Sequence, residues 1–199
     1  IDLLLERGIP LKLKTIVMKW NKHEFEAVKA FAESKGVGFR YDAALVGAMK
    51  GVDGPFSQRL EPAEVVALEH PNAQLQREFQ ALYDRLAGAQ LDDRLYKCGA
   101  AKNTYHIDPY GQLAPCILSR AQQYDLRSGS FRQGWEMFLQ ALRLQTAPRV
   151  EQCKDCHLLV LCGQCPGKSS LENGSLTEPV DFFCQVGRLR AQALTANVA

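Results

Sequence analysis

Four of the seven cysteines in this 199-residue chain fall within thirteen residues, as Cys153-x2-Cys156-x5-Cys162-x2-Cys165-Pro166. Thiols at that density imply either a disulfide framework or a metal site. The first residues carry no secretory-signal pattern, and nothing else in the sequence has the character of a secreted protein. A metal site is therefore the expectation, since thiolates are soft ligands suited to zinc and to iron–sulfur clusters. Zinc ribbons usually place a longer spacer between their two C-x2-C knuckles.

The Cys165–Pro166 ending points to iron and sulfur. In bacterial ferredoxins a C-x2-C-x2-C-x3-C-P run sends its last cysteine to a different cluster. By the same logic three local cysteines serve one cluster and Cys165 another. Cys98 and Cys116 lie upstream and Cys184 downstream. Cys153, Cys156 and Cys162 with Cys184 make one complete four-thiolate set. Cys98, Cys116 and Cys165 make a second set short of one ligand.

With the spacing Cys98-x12-Gly111-x4-Cys116, then Cys153-x2-Cys156-x5-Cys162-x2-Cys165, then Cys184, the chain resembles the SPASM domain. That is the auxiliary-cluster domain at the C-terminal end of many radical S-adenosylmethionine (SAM) enzymes. Its pattern is C-x9–15-G-x4-C, a gap, C-x2-C-x5-C-x3-C, a gap and C. All seven cysteines match in order, over about residues 96–190, with one departure: only Gly163 and Gln164 separate the last pair. The resemblance implies one or two auxiliary iron–sulfur clusters, of the [4Fe–4S] type or, as the alternative, [2Fe–2S]. In relatives with a complete first cluster an extra cysteine precedes the position of Cys98. Here Asp92 and Asp93 occupy that region and are the candidate fourth ligands. Sulfatase-maturing relatives carry an aspartate directly after the cysteine matching Cys116. Ile117 stands there in this chain, which argues against that activity.

Residues 1–97 contain no cysteine, so a domain boundary is expected near residue 90, dividing 1–90 from 91–199. The first part reads as α/β. Asp2–Arg7 reads as a helix end capped at Gly8, Leu11–Lys19 as a strand, and Asn21-x-x-Glu24 as a capping box. A helix bearing Phe25, Val28 and Ala32 follows and stops at Gly36; Phe39–Leu45 is the next strand. Strand, helix and strand with short connections predict a parallel βαβ unit. Gly47–Gln58, with Asp53–Gly54–Pro55, reads as a turn-rich loop. Helices are expected from Pro62 and over Asn72–Leu86. Beside the resemblance, this part is similar to the later strands and helices of a radical SAM partial (β/α) barrel. The C-x3-C-x2-C loop that holds the family's SAM-reducing cluster is absent. The chain opens at Ile1 inside a predicted helix, so it is expected to continue a longer polypeptide whose upstream part carries that loop.

The second part is predicted to be a small irregular α+β domain. It has a β-hairpin turning at Asp108–Pro–Tyr–Gly111, an amphipathic helix over Phe131–Leu144 whose Phe131, Trp135, Phe138, Leu139 and Leu142 should pack inward against the cluster loops, cluster-binding loops and a helix over Gln185–Ala196. On that last helix Val186, Leu189 and Ala193 should face inward, and Arg188 and Arg190 solvent. His157 is expected at the surface or behind a ligand, and His23, His70 and His106 have no partner pattern.

A net charge of +2 with 24 scattered basic residues predicts no nucleic-acid or membrane partner. Thiols used as ligands fit a reducing cytoplasm. The resemblance implies a parent oxidoreductase that cleaves SAM to a 5′-deoxyadenosyl radical and abstracts hydrogen from a peptide or small protein substrate. A ferredoxin or flavodoxin would supply electrons. No residue is assigned a catalytic role. Two other readings stay open: a ferredoxin-like electron carrier and a zinc-stapled structural or binding module.

Overall fold

The computed structural model describes residues 1–48, 54–69, 71–86, 93–147, 150–154 and 156–196. The fold mixes α and β. α1 (Asp2–Glu6) ends where Gly8 takes a φ of +64°. β1 (Lys12–Ile16) and β2 (Gly38–Asp42) pair in parallel, Lys12 beside Gly38 through Ile16 beside Asp42. α2 (Phe25–Ser34) crosses between them and buries Phe25 and Ala32. The predicted βαβ unit is present, with strands shorter than expected. The capping box is not: the chain enters α2 through a 3₁₀ turn, Lys22–Glu24. Asn21 instead ties down the strand end, its Oδ1 accepting from Met18 N at 2.8 Å and its Nδ2 donating to the Ile16 carbonyl at 3.0 Å. A short polar side chain can serve either role, and here the strand-end groups lie within reach.

α3 (Gly54–Gln58) and α4 (Pro62–Glu69) follow, then α5 (Ala73–Leu86), whose Leu75 N is capped by Asn72 Oδ1 at 3.0 Å. Asp53, His70 and Asp92, singled out in the sequence, lie outside the described residues. Val17, Phe25, Leu60, Val65 and Val66 form the core of this part, completed by Val186 from the far end of the chain. Each such aliphatic side chain contributes roughly 1.5–3 kcal/mol on burial. No helix among the described residues is long and apolar enough to cross a membrane, and the strands described form no closed barrel.

The second part carries a three-stranded antiparallel sheet, β3 (His106–Ile107), β4 (Gln112–Ala114) and β5 (Tyr124–Asp125), in that order. The predicted turn closes it. Asp108 O accepts from Gly111 N, Asp108 Oδ1 accepts from Tyr110 N and Gln112 N, and Gly111 has φ +78°. β5, not foreseen in the sequence, is only two residues long.

Phe131–Leu144 is not a regular α-helix. α6 (Phe131–Gln133) starts in a capping box between Ser130 and Gln133, Gly134–Leu139 is a π-helical turn, and α7 (Gln140–Leu144) completes it. The wide turn opens at Gly134, where a Cβ would lie 2.7 Å from Leu113 Cδ2 and 2.8 Å from Tyr124 Cδ1. Leu139 and Leu142 are buried with Leu113 and Ala101. Phe131, expected inward, is exposed and stacks on Trp135 with Tyr105 against its edge. The π turn after Phe131 puts it out of phase with Leu139 and Leu142, which keep the inward face.

α8 (Glu151–Lys154), α9 (Leu159–Cys162), α10 (Pro166–Asn173) and α11 (Asp181–Ala196) close the chain. α11 packs on α4 and α9. Two buried ion pairs join distant segments. Arg59 donates to Glu172 at 2.5 and 3.0 Å while its guanidinium lies between the Phe56 and Phe182 rings. Arg190, expected at the surface, donates to both oxygens of Glu69 at 2.6 and 2.8 Å.

Glu172→Ala should destabilise the protein by about 3–5 kcal/mol, because it leaves the Arg59 charge buried and unpaired. Arg59→Met combined with Glu172→Leu should recover most of that loss. Urea denaturation of the three proteins checks both expectations; a single variant as stable as the wild type would show that the pair carries no such load.

Candidate metal centre

All seven cysteines are free thiols. Cys98 is exposed in a loop where Gly99 O accepts from the backbone N of Lys102, Asn103 and Thr104. Ala101 in this loop holds φ +56° without being glycine, a conformation that costs energy and needs support. Support comes from α7. Arg143 Nη1 donates to the Cys98 carbonyl at 2.6 Å and to the Ala100 carbonyl at 3.3 Å, and Gln140 Nε2 donates to Ala101 O at 3.1 Å. Cys116 follows β4, and its carbonyl accepts from Ser119 N. Ser119 Oγ hydrogen-bonds Tyr96 Oη at 2.7 Å, both residues buried.

Cys153 sits on α8 and Cys156 in the turn after it. Cys162 ends α9, and Gly163 takes a φ of +67° to reverse the chain. Cys165 stands at the N-cap of α10, with Pro166 at the first helical position. Cys184 lies in the first turn of α11. One turn further on, Gly187 passes so close to α9 that a Cβ would lie 2.9 Å from both Cα and Cβ of Cys162.

Burial pushes the Cys162 thiol up to about 11, and the charges of Cys184, Cys156 and Cys153 add to the shift. Cys184 is also raised, chiefly by burial and then by Asp181, with Cys156 contributing. Cys165 is raised by burial; backbone N–H groups of Lys168 and Gly167 oppose the shift, and Cys116 adds to it. Tyr96 is raised by burial, and the fields of Cys116, Cys165 and Cys98 reach it. Neighbouring thiolate charge thus adds to burial at Cys162, Cys165 and Cys184, and it is opposed by backbone N–H groups at the first two and by the Lys168 and Arg188 charges at the last two. Among the described residues no group of three or more His, Cys, Asp and Glu side chains is gathered closely enough to hold a single ion.

The donor chemistry suits an iron–sulfur cluster. Several sulfurs accept backbone hydrogen bonds: Ala100 N to Cys98 Sγ at 3.5 Å, Gln164 N to Cys162 Sγ at 3.4 Å, and the start of α10 to Cys165. Such bonds stabilise thiolate and tune cluster potential. A cavity of about 500 Å³ is lined by Cys98, Cys153 and Cys165 together with Leu82, Leu159 and Pro166. Asp93 is exposed, its carbonyl accepting from Ala147 N at 2.9 Å. His157 and Ile117 are exposed. Sequence reasoning passed over Lys168, Arg143 and the Tyr96–Ser119 pair. Only a charged residue three positions after a Cys–Pro could have drawn attention to the first.

In metal-free protein at pH 8, iodoacetamide should modify Cys98 first and Cys162 last. A thiol moved from 9 to about 11 has roughly a hundredfold smaller thiolate fraction at that pH. Peptide mapping against time reads the order, and equal rates would contradict it. Gly187→Ala should push α11 off Cys162, lowering stability by about 1–3 kcal/mol and slowing metal uptake, as measured by urea denaturation and metal content.

Neither the protein-family models nor the curated proteins compared with this chain give a match.

Proposed function

We propose that this chain is the auxiliary-cluster part of a radical SAM oxidoreductase of the SPASM type. Cys153, Cys156, Cys162 and Cys184 hold one [4Fe–4S] cluster. Cys98, Cys116 and Cys165 hold three corners of a second, whose remaining position is taken by Asp92, Asp93 or a group from outside the chain. The β1–α2–β2 unit is read as a later section of the partial barrel. The substrate is a peptide or small protein, the electron donor a ferredoxin or flavodoxin, and the compartment the reducing cytoplasm.

One observation carries this reading. Cys162 and Cys165 are separated by only two residues, yet their electrostatic neighbours differ: Cys184, Cys156 and Cys153 for the first, Cys116 for the second. Gly163 turns the chain between them, so adjacent thiols face different partners. Bound clusters would supply one-electron transfer. The protein's share is to supply thiolates, aim N–H groups at them and hold the ligand loops through Arg143 and Arg190.

After anaerobic reconstitution the protein should be brown and carry several irons per chain. Cys165→Ala should remove the same EPR signal as Cys98→Ala, and Cys153→Ala the same as Cys184→Ala. Stoichiometric zinc without iron after anaerobic purification would refute the cluster reading in favour of a zinc-stapled module. Grouping of Cys165 with Cys153 would refute the ligand assignment.

A further inference from the structure

Lys168 occupies an unusual position. Its side chain folds back from α10, and Nζ donates to the Gly163 carbonyl at 2.7 Å. Gly163 lies in the two-residue turn between Cys162 and Cys165. The ammonium also stands 4.1 Å from the centre of the Phe183 ring, next to Cys184 in sequence. The ring and the carbonyl hold it from two sides. The charges of Cys165 and Cys162 both act on it.

No carboxylate is ion-paired with Lys168 among the described residues. The neighbouring buried acids are committed elsewhere, Glu172 to Arg59 and Glu69 to Arg190. Arg190 also approaches the turn, Nη1 donating to Leu161 O at 2.5 Å, but Glu69 neutralises it. Lys168 therefore brings a positive charge without an ion-pair partner to the turn between Cys162 and Cys165, with the Glu172 charge acting on it only weakly. Lys168 is half-buried and burial lowers its pKa, so its charged form gains from negative charge supplied nearby.

We propose that Lys168 is the shared countercharge of the two cysteine sets, a positioning residue whose ammonium raises the reduction potential of both bound clusters. The proposal rests on the cluster reading above. Adding an electron to a cluster adds negative charge, and a cation in a site of low polarity stabilises the reduced form most. Because one ammonium serves the turn between Cys162 and Cys165, its removal must be felt on both sides. Ordinary ligand support, such as that of Arg143 at Cys98, would be felt on one side only.

The experiment compares wild type, Lys168→Met and Lys168→Arg after anaerobic reconstitution with iron and sulfide. Iron content and EPR-monitored redox titration are the readouts. Cys98→Ala and Cys184→Ala assign the two signals. Lys168→Met should move both midpoint potentials to more negative values at unchanged iron content, and Lys168→Arg should keep both near wild type. Unchanged potentials in Lys168→Met, or a shift in only one, overturns the proposal and leaves the cluster reading standing. An arginine variant that behaves like the methionine variant overturns it too, because the charge is then not what matters. If Lys168→Met keeps its far-ultraviolet circular dichroism but takes up no iron, uptake by Lys168→Arg supports the countercharge and failure of both overturns it. A wild type that binds no iron overturns the cluster reading, and the proposal with it.

Discussion

The guanidinium of Arg190 is the point on which the rest of the arrangement depends. It grips both oxygens of Glu69 on α4, donates to the carbonyl of Leu161 on α9 and lies 4.8 Å from the centre of the Phe79 ring on α5. One planar cation on α11 thus ties α9 to α4 and α5, which lie about a hundred residues away in sequence. A lysine could not take its place, since only a guanidinium offers a forked set of donors in one plane. The carbonyl it holds precedes Cys162, so the position of the cysteine turn is set from within the α/β part. Val186, one turn back along α11, is buried beside Val65 and Leu60. Hydrophobic burial supplies the stability of that contact, and the ion pair supplies its register.

The second part has little else to stand on. Its buried cluster of Ala101, Leu113, Leu139 and Leu142 is small, and its sheet strands are two or three residues long. Paired strands so short are marginal on their own. Their ends are tied instead by side chains: Asp108 inside the hairpin turn, Arg143 and Gln140 on the Cys98 loop, Asn173 on the carbonyl of Pro179. Each such bond nets about 1 kcal/mol. On the proposed reading, a bound cluster would add to these bonds, because free energy of ligation is free energy of folding wherever the ligands are not otherwise assembled.

Legibility in the sequence followed the range of the interaction. The βαβ unit, the helix from Pro62 and the Asp108–Gly111 turn depend on neighbours a few residues apart, and periodicity or turn chemistry was enough to find them. Asn21 misled because its side chain had two local partners to choose from. Phe131 misled because a π turn beginning at Gly134 breaks the helical period, and the reason for that turn lies in Leu113 and Tyr124, across the fold. Arg190 reads as a solvated residue until Glu69 is placed beside it, more than a hundred residues away in sequence. The cysteine spacing raised the expectation of metal chemistry without revealing the cations near those cysteines. Lys168 and Arg143 act through carbonyls and fields that only the folded chain brings together.

Those cations settle a problem that the cysteines pose. Burial, with neighbouring thiolate charge, pushes Cys162 up to about 11 and raises Cys165 as well. Thiols in that state are protonated and poor ligands, and ionising several together in one region adds mutual repulsion. Backbone N–H groups from Gln164 and from the start of α10 lower the cost of a thiolate at Cys162 and Cys165, and the Lys168 ammonium lowers it again from the other side of the turn. A more exposed loop would avoid the penalty, but water would then reach the sulfurs and the metal. Burial of Cys162 and partial burial of Cys165, with fixed donors, limit water there and would leave the thiolate state attainable if a metal binds. Loading must then release protons from these thiols, which makes assembly easier at higher pH. The buried charge is tolerated because the carbonyls of Leu161 and Gly163 and the rings of Phe79 and Phe183 already hold the cations in place.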